Sequence, residues 1–510
     1  MSSLGGGPPL DEGDLPVAIP EPVDPADVAR SGVGTDEWVA RVDERRAAQT
    51  GISGLIARTW ERTPAFGRLV ILLGPFAIFL FITNEGNLYR YGLITIIYAL
   101  LAMGLNVVVG FAGLLDLGYV AFFGFGAYLY GIMASGHSGH HLQAEIAIPI
   151  VVVSTALLGL LLGLTSWRLL GDYLAIVTLF FLQAFVIFVN NANGGLNDFS
   201  YPFVGKVDLT GGANGLDQID PFNFFGFHIT TTRGYYFYTL IALALLMVML
   251  YFVNGSRTGR AWRALREDPL AAEVMSTPVN RLKLLAFMFG AGVAGFSGTI
   301  FGAVQSGAFP GDYDVGLLIT IYAIVILGGL GSIGGVVVGA LVVNGAPELL
   351  RSSSNARFLF YGVLLVALFA ALKPWYKAVI VLVGTIAFGF AVHGIASAVW
   401  SRGTAGHISG AGNFGKALEH WVLLPTNPSS IAGWSYFALI CAALVLTLVS
   451  GWWRVAVLIP TFYLAAFVWE NKLVEQVAGA TRLILLGALL VVIMNVRPSG
   501  IFGTSRVEIV

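Results

Sequence analysis

The sequence carries little charge. Asp, Glu, Lys and Arg together make up 11% of its 510 residues, whereas a soluble globular domain carries about 25%. So few charged groups cannot cover a water-facing surface, which argues against a soluble enzyme and against a disordered chain. The 28 basic residues are balanced by 29 acidic ones, and a nucleic-acid binder needs an excess of positive charge. Nucleic acid is therefore not an expected partner.

Cysteine is almost missing as well. The single Cys441 lies in an apolar run, so neither a disulfide framework nor a thiolate metal site is possible. Three histidines, His137, His140 and His141, share a loop with Ser and Gly and no nearby acidic pair, which favours a solvated loop over a metal site. No nucleophile–base set and no paired carboxylates can be assembled. We therefore predict that the chain is not an enzyme and holds no cofactor or metal.

Long hydrophobic runs make up most of the sequence. Hydrophobic residues reach 56%, and a helix needs about 20 mostly apolar residues to span a bilayer. The runs predict an all-α, polytopic transmembrane helical bundle, with candidate spans near 68–84, 88–109, 113–134, 145–165, 171–193, 234–253, 281–304, 315–330, 335–350, 357–372, 376–399, 432–450, 452–470 and 478–496. The pair around 315–350 is short, so the glycine-rich turn between its members could join two half-length helices.

The composition divides the chain into four parts. Residues 1–65 are rich in Gly, Pro, Asp and Glu and then basic, which predicts a flexible cytosolic N-terminal tail. A transmembrane core over 66–372 is followed by additional spans of unknown role over 373–480. The last part, 481–510, is predicted to be a terminal transmembrane helix with a cytosolic tail. Most Lys and Arg fall on the side that holds both termini, which predicts that both termini are cytosolic.

The loop 254–283 is the only dense charge cluster between two spans. It reads NGSRTGRAWRALREDPLAAEVMSTPVNRLK. Pro269 is expected to divide two short helices, because proline removes a backbone donor and disfavours helix in the preceding residue. Two interpretations stay open: a solvated loop that follows the positive-inside rule, or an element that a soluble partner binds.

Several ordered blocks resemble one family. These are GLNVVVGFAGLLDLGYVAFFGFGAYLYG, RLLGDYLAIVTL, LTGGANGL, GRAWRALREDPLAAEVMSTPVNRLKLLAFMFGAGVAGFSGTIFGA, ILGGLGSIGGVVVGALVV and the ending VRPSGIFG. Together they resemble the permeases of branched-chain amino-acid ABC importers. The motifs LGYVAFF and GDYLAIVTL are similar to those of the LivM type. The chain departs from the family pattern at Gln183 and Val186, where a Glu and an Arg are usual, and at Ser276, where a Gly is frequent. The stretch 374–480 has no counterpart in the resemblance.

The resemblance implies a machine of several subunits. It implies a second permease subunit, two cytosolic ABC ATPases and an external substrate-binding protein, in the plasma membrane of a prokaryote, or the inner membrane if there are two. The glycine-rich segments 329–334 and 410–417 lack the context or the Ser/Thr of a nucleotide site, so ATP is expected to be used by the partner subunits. The loop 254–283 would contain the coupling helix. Its expected ATPase contacts are Gly259, Arg260, Arg263, Arg266, Glu267, Asp268 and Glu273.

Buried ionisable groups are the default functional candidates within a membrane. Asp116 either caps a helix break or lines the transport path, and Asp172 either caps a helix start or lines the path. With their neighbours Tyr119 and Tyr173 they are the candidate residues of the translocation path. The heavy use of glycine, 64 residues, predicts close helix packing through small residues.

The leading hypothesis is inward transport of branched-chain or related amino acids by alternating access. Urea and amide permeases share similar blocks, so the substrate class stays open. A secondary carrier or channel that works alone is the alternative of a different class, and a membrane enzyme is the least favoured.

Overall fold

The computed structural model of the protein describes residues 65–165, 172–192, 208–349, 353–372, 375–399, 412–425, 428–449, 451–473 and 500–502, with a few isolated positions besides. Its helices are Ala65–Ile82 (α1), Glu85–Phe111 (α2), Tyr119–Met133 (α3), Ala144–Thr165 (α4), Asp172–Asn191 (α5), Thr232–Gly255 (α6), Arg257–Glu267 (α7), Pro269–Val274 (α8), Val279–Gln305 (α9), Val315–Gly328 (α10), Ile333–Leu349 (α11), Ser353–Ala371 (α12), Trp375–Val399 (α13), Gly412–Glu419 (α14), Pro428–Leu448 (α15) and Gly451–Val468 (α16). The predicted all-α, polytopic helical bundle is confirmed.

Seven helices in the described ranges are long and apolar enough to cross a bilayer: α2, α4, α5, α6, α9, α13 and α16. Shorter apolar helices include α3, α10 and α11. The predicted pair near 315–350 is indeed two short helices, α10 and α11, joined by the turn 329–332. The predicted span 478–496 lies almost wholly outside the described residues, and so does most of the predicted tail 1–65.

One predicted span differs from the structure. The run near 113–134 does not begin as helix at residue 113. The chain leaves the helical path over 112–118, where Gly113 has φ +72°, and α3 starts at Tyr119. Helix α2 also ends in a π-helical turn, Asn106–Phe111, a feature that often marks functional sites.

Helix α9 forms the middle of the core and packs against α2, α3 and α4. Glycines make this close approach possible, as the composition predicts. A Cβ on Gly126 would lie 2.3 Å from the carbonyl oxygen of Gly295, and one on Gly298 would lie 2.0 Å from that of Phe123. Small residues let helix backbones approach in lipid, where no hydrophobic force drives helices together.

Short antiparallel strand pairs lie at the end of the bundle opposite α7. Strand β1 (Ala134–Ser135) pairs with β2 (His140–His141), β3 (Leu216–Asp217) with β6 (Gly307–Ala308), and β4 (Phe222–Phe224) with β5 (Phe227–Ile229). In the last pair Phe222 faces Ile229 and Phe224 faces Phe227. These pairs tie together the loops that close this end.

The C-terminal helices have hydrophobic clusters of their own. One cluster joins α12, α13 and α16, and another joins the loop after α14 to the end of α16. The π-helical turn Trp469–Leu473 continues α16, and its Glu470 forms a buried ion pair with Arg357 of α12, Oε2 to Nε 2.7 Å. Helices α12 to α16 are therefore held to one another by packing and by one buried charge pair.

Candidate functional site: the α7–α8 loop and its junction with the bundle

The two short helices predicted on either side of Pro269 are confirmed as α7 and α8. Ser256 caps α7, and its hydroxyl oxygen accepts a hydrogen bond from the Gly259 amide at 3.3 Å. Asp268 caps α8, and its Oδ1 accepts from the amides of Leu270 and Ala271 at 2.8 and 3.0 Å. Pro269 occupies the first turn of α8, where a missing N–H costs nothing. Both helices of the loop therefore begin at a residue whose side chain caps them.

One face of α7 packs on the bundle. Trp262 is buried, and its Nε1 donates to the carbonyl of Leu282 at 2.9 Å. Leu265, one turn further, is buried as well. A Cβ on Gly259 would lie 2.3 Å from the carbonyl oxygen of Val253, so glycine is required for the close approach of α7 to the end of α6.

The charged residues of α7 do not all point away from the protein. Arg260 donates to the carbonyl of Gly255 at 2.9 Å and Arg263 to that of Asn254 at 3.2 Å. These carbonyls belong to the last turn of α6 and have no intrahelical partners. Both arginines are nevertheless exposed, as are Glu267, Asp268 and Glu273.

Arg266 is different, because it reaches into the bundle. Its Nη1 donates to the carbonyl of Gly110 at the end of α2 and lies 3.5 Å from the carbonyl of Leu330 in the turn 329–332. A Cβ on Gly113 would lie 2.9 Å from Arg266 Cγ. One guanidinium thus touches two segments that are far apart in sequence.

Three further hydrogen bonds hold the turn 329–332 and the end of α10. The Gly331 amide donates to Oδ1 of the buried Asn106 at 2.8 Å. The C-terminal residues 500–502 run along the end of α10, where the amides of Ile501 and Phe502 donate to the carbonyls of Leu327 and Gly328 at 2.9 and 3.1 Å. We call the meeting point of Arg266, the end of α2, the turn 329–332 and residues 500–502 the junction.

An exposed apolar patch on α8 was not predicted. Leu270, Val274 and Met275 are 75%, 84% and 80% exposed. Such side chains at the end of a short capped helix form a surface suited to another protein. Their spacing, i, i+4 and i+5, is visible in the sequence, but the sequence does not show which face of α8 packs on the bundle through Ala272.

Ser276, which follows α8, adopts a left-handed conformation with φ +62°. This conformation costs a residue with a Cβ about 1–2 kcal/mol, and glycine adopts it freely. We expect Ser276→Gly to stabilise the protein by up to about 1 kcal/mol, seen as a raised midpoint of thermal unfolding of the purified chain in detergent. The control is Ala271→Gly on the exposed side of α8, where glycine should destabilise by a similar amount. Equal effects of the two substitutions would contradict this explanation.

The structure brings two of the four path candidates together. Asp116 is fully buried, and its Oδ1 accepts from the Gly118 amide at 2.9 Å at the start of α3. The Tyr119 hydroxyl, also buried, lies 3.0 and 3.1 Å from the carbonyls of Leu101 and Gly290. Both residues thus fix the start of α3 against its neighbours.

The other two candidates lie elsewhere. Tyr173 is 70% exposed on α5, and the side chain of Asp172, with which α5 begins, lies outside the described residues. Helix α5 reaches the start of α3 through Thr178 instead, whose hydroxyl oxygen accepts from the Leu117 amide at 2.9 Å. The Asp116 carbonyl also accepts a hydrogen bond from the Tyr322 hydroxyl at 2.6 Å. A role of the four candidates in the path stays a prediction.

Comparison with known proteins decides the family. Residues 88–372 match the family model of the branched-chain amino acid transport system permease component. The chain belongs to this family. The match begins within α2 and ends after α12, so α7, α8 and the turn 329–332 lie inside it and α13 to α16 lie beyond it.

Among curated relatives the permease is similar to LivM. It is 35% identical over 321 residues to the high-affinity branched-chain amino acid transport system permease protein LivM of Escherichia coli (strain K12), covering 58% of this chain and 71% of that protein. The LivM protein of Salmonella typhimurium is 35% identical over 295 residues, covering 53% and 65%. LivH of Escherichia coli (strain K12) is 25% identical over 267 residues, covering 50% and 82%. The predicted resemblance to the LivM type is confirmed. No solved structure matches the chain.

Proposed function

We propose that this permease is the membrane-spanning subunit of an ATP-driven importer that moves branched-chain amino acids into the cell. Its membership of the family and its similarity to LivM support the substrate class. The observation that carries the mechanism is the α7–α8 loop, which is packed on the bundle by one face and exposes charged and apolar side chains on the other. The permease itself performs no chemistry on the substrate.

In this proposal the importer contains two cytosolic ATPase subunits, and one of them binds the exposed face of the α7–α8 loop. Leu270, Val274 and Met275 supply an apolar contact that an ATPase surface can bury. Arg260, Arg263, Glu267 and Glu273 surround that contact with charges of both signs, which favour one orientation of the partner. The ATPase subunits bind and hydrolyse ATP, and the permease does neither.

Motion of the ATPases reaches the helices through the junction. Arg266 belongs to α7 and moves with it. Its side chain is hydrogen-bonded to the end of α2 and lies against the turn 329–332. A displacement of α7 is thus applied at once to α2, to the break 112–118 and to α10 and α11. Alternating access follows if these segments have two stable arrangements, which glycine-mediated packing permits.

The remaining parts of the machine follow from the same proposal. A second permease subunit completes the path, and an external substrate-binding protein delivers the amino acid to the end of the bundle formed by the short strand pairs. The α7–α8 loop faces the cytosol, as do both termini. The membrane is the plasma membrane of a prokaryote, or its inner membrane where there are two.

Uptake by proteoliposomes tests the proposal. The permease is reconstituted with its second permease subunit and ATPases, and radiolabelled leucine is supplied with the binding protein. We expect uptake that requires ATP on the side of the membrane that carries the ATPases. Uptake should fall at least tenfold when Arg263→Glu and Glu267→Arg are introduced together, while the amount of permease in the membrane stays normal. The double variant exchanges the signs of two exposed charges and leaves the buried Trp262 and Leu265 of α7 unchanged, although it removes the hydrogen bond from Arg263 to the Asn254 carbonyl.

Two results would contradict the proposal. One is uptake by the permease alone driven by an ion gradient. The other is unchanged ATP-dependent uptake by the double variant. Uptake of urea or short amides in place of leucine would keep the coupling mechanism and overturn the substrate.

A further inference from the structure

Helices α13 and α16 lie beyond the family match and begin side by side. Their first turns carry an unusual set of side chains: Trp375, Tyr376 and Lys377 on α13, and Trp452, Trp453 and Arg454 on α16. We call these six residues the aromatic–basic corner. The three tryptophans are 60–76% exposed, and Lys377 Nζ lies 5.5 Å from the centroid of the Trp452 ring. Such a distance is typical of a cation–π contact.

Packing directly behind the corner fixes its geometry. Ala378 and Val381 of α13 are fully buried against Val455 of α16. Further along the same pair, a Cβ on Gly384 would lie 2.7 Å from Ile459 Cδ1. The two first turns therefore form a rigid surface and are not independent of each other.

The charge of the corner is uncompensated in the described part of the chain. Neither α13 nor α16 contains an Asp or a Glu, and the nearest acidic residue on this helix pair, Glu470, lies at the far end of α16. Lys377 and Arg454 make no ion pair with any described residue. Two cations in the adjoining first turns of α13 and α16, without a described counter-ion, favour an anionic ligand.

The aromatic–basic corner lies at an end of the helix bundle, where the anions within reach are lipid headgroups. Counting helices from α9 to α13 puts the start of α13 at the same end of the bundle as α7 and α8, and α16 starts there too. Tryptophan and tyrosine at the end of a spanning helix mark the level of the lipid headgroups. Basic clusters at the cytosolic end of spanning helices bind anionic headgroups.

We propose that the aromatic–basic corner binds an anionic phospholipid of the leaflet that faces α7 and α8. The lipid phosphate lies between Lys377 and Arg454, the tryptophan rings lie at headgroup level, and the acyl chains follow the exposed apolar side chains Ile380 and Val383 of α13. A zwitterionic lipid brings its own cation and gains much less from the two basic residues. The inference concerns residues outside the family match and does not depend on the transported substrate.

The test is lipid binding to the purified full-length chain. Lipids are titrated into detergent-solubilised protein, and each bound lipid is counted by native mass spectrometry. We expect phosphatidylglycerol to bind at least tenfold more tightly than phosphatidylcholine. Lys377→Gln combined with Arg454→Gln should weaken phosphatidylglycerol binding roughly ten- to thirtyfold, because each cation near an anionic headgroup contributes about a factor of five. Phosphatidylcholine binding should not change.

Two variants keep the test decisive. Lys377→Arg with Arg454→Lys conserves the charges and should retain lipid binding, which shows that the loss in the glutamine variant is not a folding defect. Lys416→Gln with Trp434→Leu removes an exposed cation from α14 and an exposed tryptophan from α15, and it should leave binding unchanged. Three results would overturn the proposal. The unaltered protein could bind the two lipids equally, the α14–α15 control could lose as much binding as the glutamine variant, or millimolar inorganic phosphate could displace the lipid.

Discussion

Replacing Arg266 by glutamine is expected to lower ATP-driven uptake about a hundredfold while the ATPase subunits continue to hydrolyse ATP. The guanidinium connects α7 to the end of α2 and to the turn 329–332. Glutamine is too short to reach the Gly110 carbonyl and carries no charge, so the bond between the driven helix and the transport helices is lost. Hydrogen bonds from charged donors contribute about 1.5–3 kcal/mol. A coupling free energy of that size corresponds to a change of up to about 150-fold.

The measurement compares leucine uptake with phosphate release in the same proteoliposomes. Arg266→Lys should keep part of the uptake, since the ammonium can still donate to one carbonyl. Arg257→Gln is the matched control, because Arg257 lies exposed in the first turn of α7 and is not among the residues proposed to contact the ATPase. Hydrolysis and uptake that fall together in Arg266→Gln would indicate a lost docking contact and contradict the role of Arg266 as an internal link.

Replacing Glu470 by alanine is expected to destabilise the C-terminal helices by about 3–5 kcal/mol. Arg357 and Glu470 are both almost completely buried, and their side chains are 2.7 Å apart. The Tyr361 hydroxyl donates to the second carboxylate oxygen at 3.3 Å, and the Trp469 ring stacks on Phe360 with centroids 4.2 Å apart. Removal of the carboxylate takes the ion-pair partner away from a buried guanidinium, which accounts for the size of the effect.

Thermal unfolding and limited proteolysis in detergent measure this loss. Glu470→Met combined with Arg357→Met removes both charges and should recover most of the stability, since replacing a buried pair by apolar side chains is often neutral or favourable. The matched control Lys416→Ala, on α14, removes a charge that is exposed and should change stability little. A single variant as stable as the unaltered protein would show that the pair does not hold α12 to α16.

The sequence predicts the bundle because apolar length alone defines a spanning helix. The division of the loop at Pro269 and the turn 329–332 were also readable, since proline and glycine act locally. The break over 112–118 was readable only as one of the two interpretations of Asp116, because LLDLG is apolar enough to continue a span in any average over residues. Gly113, with its positive φ, and Asp116, whose Oδ1 accepts from the Gly118 amide before α3 begins, lie in this break, and both effects belong to individual residues.

The sequence predicts where the α7–α8 loop lies in the chain, but only partly which of its side chains are exposed and which contact the bundle. A charged loop among apolar runs is visible in composition, so the residues of α7 and α8 could be named. Which of them face outward depends on Trp262 and Leu265 packing on the bundle, and this burial turns Arg266 inward. The contacts of Arg266 with Gly110 and Leu330, and of Arg357 with Glu470, join residues far apart in the chain. No periodicity in the sequence reports such contacts.

The central claim is that the α7–α8 loop lies in the cytosol and is covered by an ATPase, and labelling of one introduced cysteine tests it most directly. Cys441 is replaced by alanine, and Val274→Cys places a thiol at a site that is 84% exposed. A membrane-impermeant maleimide should label this cysteine in inside-out vesicles stripped of the ATPases, and the label should be blocked when the ATPases are added back. No label should form in intact cells. Labelling of Val274→Cys in intact cells would place the loop outside and contradict the account.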